Sequence, residues 1–251
     1  ELMNAGFDKQ IKDMLWKGGF PEVWAESHDP AEYYEDYIQT YLERDLQQII
    51  QVSNLADFRR FLILVAHRTG QLVKYSDLAK DLGIAVNTVK SWINALHISG
   101  ILVMLPPYYK NLGKRLIKSP KLYFADNGLV AHLLNINSIQ VLERSHYKGN
   151  LFENFVATEF IKNGLKPGRD LFYYRDQNGV EMDFIIEDGT SHTLIEVKYA
   201  ENPEVRKLNF AKVAPLFKHH TNCILACSVE EKGMFHLKNY KVYNPLFGYP
   251  F

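Results

Sequence analysis

The chain has 251 residues, 47% hydrophobic, 13% aromatic and 23% charged, with a formal net charge of zero. That length allows one large domain or two to three small ones, and the apolar fraction excludes wholesale disorder. No uninterrupted apolar run approaches the ~20 residues of a membrane helix, so no membrane partner is expected. The start, Glu1-Leu2-Met3-Asn4, has no basic stretch leading into an apolar one, so no signal peptide is expected. An opening without Met predicts a chain cut from something longer. Two cysteines make no disulfide framework, and a reducing, cytoplasmic setting follows as the expectation.

The zero net charge conceals a segregation. Residues 1–58 carry four basic against twelve acidic groups, residues 59–150 thirteen against four, and residues 151–251 twelve against thirteen. Separate modules would produce this pattern, the middle one facing a polyanion. Acidic and basic segments docking on each other within the chain would produce it equally well.

In the acidic segment (1–58), helices are predicted over 8–16 and 30–51, separated by Gly18-Gly19-Phe20-Pro21. Tyr34, Tyr37, Ile38, Tyr41 and Leu42 recur at helical spacing as a core or docking stripe. No chemistry is assigned here.

In the basic segment (59–148), three helical patterns cover 58–69, 75–82 and 86–99. Ser76 is a candidate N-cap and Gly83 supplies the turn before the third helix. There Val89, Ile93 and Leu96 form the buried stripe, leaving Asn87, Thr88, Lys90, Ser91 and Asn94 open. Helix, Gly-containing turn, helix is the helix-turn-helix signature. Strands at 101–105 and 122–125 then complete a winged helix. Between them lie Lys110, Lys114, Arg115, Lys118 and Lys121 without an acid. These, with Lys90, are the expected DNA contacts, each neutralised phosphate adding about −0.9 to a log–log salt slope. Lys90 is the sole Lys or Arg on the third helix, so bidentate base reading has little support, and a protein-docking role stays open. Asp126-Asn127-Gly128 reads as a turn with positive φ at Gly128.

The last segment (149–251) reads as a helix over 150–163, strands at 171–175, 181–186, 193–199 and 222–228, and a helix over 202–219: an α/β order with a mixed sheet. Period two places Glu181 and Asp183 on one face, opposite Met182, Phe184 and Ile186, and sets Glu196 and Lys198 together. Such charges need one another, a metal or water. A hairpin turn at 187–190 would bring Asp183 beside Glu196. Two carboxylates suit Mg²⁺, which stabilises phosphoryl charge and acidifies bound water; a strand-surface salt bridge is the plain alternative. Glu181 is read as either a supporting carboxylate or a surface charge. His219-His220 is expected to be an exposed helix end, and Cys223 and Cys227 buried thiols.

The spacing Asp183…Glu196-x-Lys198 resembles the PD-(D/E)xK restriction-endonuclease-like superfamily, although Met182 replaces its usual proline. The resemblance implies Asp183, Glu196 and the preceding helix's Glu153 as ligands of Mg²⁺ or Mn²⁺, and Lys198 as the catalytic lysine. Domains with intact motifs also serve in binding, so recognition without cleavage stays open. Over nearly the whole chain, Gly18-Gly19-Phe20-Pro21-Glu22, Tyr41-Leu-Glu-Arg-Asp45, Ser119-Pro-Lys-Leu-Tyr-Phe-Ala-Asp-Asn-Gly-Leu129 and Gly149-Asn-Leu-Phe-Glu-Asn-Phe-Val156 resemble the C-terminal half of a family of prokaryotic AAA+ ATPases. The fold implied is α+β: a helical segment, a winged helix, and a restriction-endonuclease-like domain with a mixed sheet. No Gly-x4-Gly-Lys-[Ser/Thr] run occurs, so no ATP site and no ATP hydrolysis are expected of this chain alone.

Overall fold

The computed structural model describes residues 10–25, 28–43, 55–109, 117–189, 191–201, 204, 208–217, 221–228, 234–237 and 240–247. Its architecture is α+β with two sheets, and its contacts fall into two units: 1–103 with 122–155, and 104–121 with 156–251. The acidic segment and the basic one apart from residues 104–121 therefore belong to one body. Within it Glu35 of the acidic segment meets Arg59 of the basic one, and His132 Nε2 approaches Glu35 at 3.2 Å.

The first unit starts with α1 (Ile11–Lys17), α2 (Pro21–Ala25) and α3 (Pro30–Tyr37), the last continuing as a π-helical stretch, Ile38–Glu43. The predicted helix over 30–51 is thus not uniform, and its final residues lie outside the described ones. Pro30 sits in the first turn behind the Asp29 cap, where its missing N–H costs nothing. Tyr34 and Ile38 are buried, whereas Tyr41 is exposed.

Next come α4 (Leu55–Ala66), β1 (Gln71–Leu72), α5 (Tyr75–Leu82), α6 (Val86–Ile98), β2 (Leu102–Leu105) and β3 (Lys121–Phe124). The strands form a sheet in the order β1-β3-β2. Phe58 and Phe61 of α4 pack on Trp92 of α6 with ring centroids 5.4 and 5.2 Å apart. Gly83 closes α5 in the left-handed conformation, donating its amide to Ala79 and Lys80; α5 begins at Tyr75, so Ser76 is in its first turn and not its cap.

Asp126 corrects the turn expected at 126–128. It caps α7 (Asn127–Leu133), its carboxylate accepting from the amides of Gly128 and Leu129, and Gly128 has no positive φ. The same carboxylate accepts from Gly19 N and from Tyr34 Oη at 2.6 Å each, while Tyr34 Oη also lies 2.8 Å from the Lys17 carbonyl. Burial and the Asp126 charge push the Tyr34 hydroxyl far above its ordinary pKa, which keeps it a donor. Side chains at Gly18 or Gly128 would overlap Tyr34, and at Gly18 also Asp126. After α8 (Ile139–Arg144), α9 (Lys148–Lys162) carries buried Asn154, whose amide brackets the backbone N and O of Phe124 at 2.8 and 3.1 Å.

The second unit is built on a six-stranded mixed sheet, β4-β5-β6-β7-β9-β8, from β4 (Leu171–Arg175), β5 (Glu181–Asp188), β6 (Ser191–Lys198), β7 (Thr221–Cys227), β8 (Met234–Leu237) and β9 (Tyr240–Tyr243). The hairpin β5–β6 pairs Phe184 with Ile195 through Asp188 with Ser191, and β6 runs parallel to β7. A single helix over 202–219 is not formed. Within the described residues it reduces to α10 (Phe210–Val213) and a 3-10 turn, Ala214–Leu216, because Pro215 supplies no amide donor and the Asn209 amide is committed to Glu196. Strict alternation along β5 fails too. The register shifts between Phe172 and Tyr174, which face Ile185 and Met182, so Met182 joins Ile185 and Leu194 in one apolar cluster while Phe184 packs on Phe160.

Gly128→Ala is expected to cost about 3 kcal/mol through overpacking against Tyr34, whereas Gly149→Ala, with open space around it, leaves stability unchanged or raises it by up to about 1 kcal/mol. Urea unfolding of the two variants checks the contrast, and equal losses refute it. The Arg59 guanidinium, opposed by partial burial and aided by Gln39 and His132, holds the Glu35 carboxyl down at about 2. Its contribution is therefore complete above its ordinary value of 4.5 and is lost as pH falls toward about 2. Thermal unfolding against pH should show a shallower acid limb in Glu35→Gln.

Candidate functional site

The residues singled out for chemistry divide between the units. Glu153 belongs to the first, on α9, where its carboxylate accepts Tyr123 Oη at 2.7 Å. Asp183, Glu196 and Lys198 belong to the second, and the hairpin brings them onto neighbouring strands as expected.

Asp183 lies just beyond the last paired residues, Phe184 and Ile195. There its Oδ2 accepts the Val197 amide at 2.8 Å, doing for that N–H what a partner strand's carbonyl would otherwise do. Glu196, 3% exposed, takes the Asn209 amide on Oε2 at 2.9 Å and Lys198 Nζ on Oε1 at 3.0 Å. Burial holds the Glu196 carboxyl above its ordinary pKa, against the pull of Lys198 and the Asn209 amide and with the Asp183 charge pushing the same way.

The partner that completes this cluster is Lys121, which carries no local sequence signal for the role. Lys121, expected among the exposed wing cations, is 1% exposed. Its ammonium pairs with Glu181 and lies 3.6 Å from Asp183 Oδ1 and 5.7 Å from the Tyr173 ring centroid. Arg175 closes the far side of Glu181 at 2.9 Å. On either side of residues outside the described ones, Pro106, Tyr108 and Ile117 hydrogen-bond to β4 ahead of Lys121. Tyr108 N meets Tyr173 O at 2.7 Å, Tyr173 N meets Pro106 O at 3.2 Å, and Ile117 N meets Arg175 O at 3.1 Å. A lone lysine in a basic loop carries no sequence signal for burial; Pro-Lys ahead of an apolar strand was the nearest hint.

Each oxygen of Asp183 and Glu196 therefore already has a protein partner. Among the described residues no group of three or more His, Cys, Asp or Glu side chains is placed to hold a metal ion. Mg²⁺ or Mn²⁺ would have to share these oxygens with amide and ammonium donors and sit beside the buried Lys121 charge, so the residues as arranged do not fit a resident divalent ion.

Of the nucleic-acid candidates, Lys90 and Lys118 are exposed, and Lys90 Nζ stands 5.8 Å over the Tyr75 ring. Lys110, Lys114 and Arg115 lie outside the described residues, as does His219-His220. The α6 face carrying Asn87, Lys90, Ser91 and Asn94 is exposed, Thr88 is half-buried, and Val89, Trp92, Ile93, Ala95 and Leu96 are buried. Cys227 is buried and Cys223 half-buried, both as thiols. No described helix is long and apolar enough to cross a membrane.

Two family models match the chain: a domain of unknown function, DUF8612, over residues 8–140 and a second, DUF4143, over residues 148–234. An uncharacterized protein of Mycobacterium tuberculosis is 33% identical over 198 residues, covering 78% of this chain and 44% of its own length. A Mycobacterium bovis protein matches with the same figures. An uncharacterized protein of Methanocaldococcus jannaschii is 24% identical over 202 residues, covering 77% of this chain and 43% of its own. The chain thus spans less than half the length of these relatives.

Asp183→Ala removes the acceptor of the Val197 amide and one partner of a buried ammonium. A loss of about 3 kcal/mol is expected, against about 0.5 kcal/mol or less for exposed Asp188→Ala. Chemical denaturation decides between them, and equal effects would show that the site carries no structural weight.

Proposed function

We propose, for a chain that belongs to the DUF8612 family of domains of unknown function, a nucleic-acid recognition role. In this reading the first unit contains a winged helix that contacts duplex DNA. The second is a restriction-endonuclease-like domain used for recognition and not for cleavage. The observation that carries it is α6: a buried apolar face on one side, an exposed polar face of Asn87, Lys90, Ser91 and Asn94 on the other. Support for the fold comes from the order α4-β1-α5-α6-β2-β3 and the sheet order β1-β3-β2, which is that of a winged helix. With one Lys and no Arg on α6, contact is to phosphates more than to base edges, giving affinity without strong sequence preference. The AAA+ ATPase implied by the sequence resemblance would lie in the part of the longer relatives that this chain does not span, in a prokaryotic cytoplasm.

Cleavage is the weaker reading, because the carboxylates that would hold a metal are occupied by Val197, Asn209, Lys198 and Lys121. A protein-docking role for the first unit is favoured by one observation: Ile98, at the end of α6, is 75% exposed.

Fluorescence anisotropy with a labelled duplex at 50 to 200 mM KCl tests the reading. Affinity should fall steeply with salt, and Lys90→Glu or Lys118→Glu should each reduce the log–log slope by roughly one. Binding indifferent to salt, or absent throughout, would sink the DNA assignment and leave the docking reading around Ile98.

A further inference from the structure

We propose that Lys121 is the resident cation of the acid site, its ammonium filling the electrostatic role that the Asp…Glu-x-Lys spacing assigns to a divalent metal. Three acids meet three bases there: Glu181, Asp183 and Glu196 against Lys121, Arg175 and Lys198. The cluster is neutral from the chain's own residues. A divalent ion entering it would bring two uncompensated positive charges next to a fixed ammonium.

Lys121 is not a surface side chain that happens to reach an acid. It is 1% exposed, and a buried ammonium is tolerated only where it is paired. Its backbone position is set from outside the ion pair, by the hydrogen bonds of Tyr108 and Ile117 to β4 and by Tyr173 Oη donating to the Ser119 carbonyl. The Tyr173 ring adds a cation–π face. Because the side chain enters from the first residue of β3 and not from the β5–β6 hairpin, Lys121 acts separately from Lys198, which pairs with Glu196. The role depends on the geometry of the second unit alone and is indifferent to whether α6 touches DNA.

The test uses the whole chain as wild type, Lys121→Met and Lys121→Arg, titrated with MnCl₂ and followed by the paramagnetic signal of free Mn²⁺ and by thermal unfolding. Methionine keeps most of the buried stem and removes the charge; arginine keeps the charge. Wild type and Lys121→Arg should leave Mn²⁺ free and show no change in Tm. Lys121→Met should bind Mn²⁺ at least about tenfold more tightly and gain Tm from it, and Asp183→Asn in that background should abolish both effects. Two results would overturn the assignment: Mn²⁺ binding by wild type that disappears on Asp183→Asn, or a folded Lys121→Met that binds no better than wild type. If Lys121→Met fails to fold, wild type decides, since Asp183-dependent Mn²⁺ binding refutes the role and its absence upholds it. Failure of the anisotropy experiment would leave all these readouts where they are.

Discussion

A buried ammonium has to be answered by charge, and the second unit is arranged around that requirement. Lys121 brings its charge to the edge of a six-stranded sheet, and Glu181 and Asp183 answer it. Around them Arg175, Lys198, the Val197 amide and the Asn209 amide use the remaining carboxylate oxygens. The backbone hydrogen bonds of Pro106, Tyr108 and Ile117 to β4 serve the same requirement, fixing described residues that precede the cation. A site that resembles a hydrolytic centre in spacing is, in its contacts, a closed electrostatic circuit.

The first unit shows a comparable economy with a single anion. Asp126 caps α7, receives Tyr34 Oη and binds the Gly19 amide, so one carboxylate ties the loop after α1, helix α3 and the start of α7. Gly18 and Gly128 are small because Tyr34 and Asp126 occupy the space a side chain would need. Asn154 performs the neighbouring task, bracketing Phe124 while it donates to Asn127. The sequence blocks around Gly18, Asp126 and Asn154, on which the family resemblance was drawn, are thus places where polar side chains hold backbone to backbone.

Much of the secondary structure was legible because its signals are local. The turn at Gly83, the apolar stripe of α6 and the alternation around the β5–β6 hairpin lie within a few residues of what they determine. Asp183, Glu196 and Lys198 were found for the same reason. Three things were not legible. The register shift that sets Met182 with Ile185 depends on how β4 pairs, not on β5 itself. Asp126 reads as a turn residue until α7 and Tyr34 are beside it. Lys121 looked like its basic neighbours because burial of a lysine is decided by partners 60 residues away. The charge segregation was real, but part of it resolves into contacts such as Glu35 with Arg59 inside one unit.

The chain passes from the first unit to the second and back before passing over for good: 104–121 belongs with 156–251, and 122–155 returns to 1–103. Helix α9 is continuous across the final passage, between Phe155 and Val156. Neither unit is a contiguous stretch, so no single cut yields two autonomous pieces. During synthesis the first body cannot close until residue 155 has emerged, and Lys121 waits longer still, since the strand that carries its counterions begins 60 residues after it, at Glu181. Any swap of one unit between relatives would have to exchange both pieces at once.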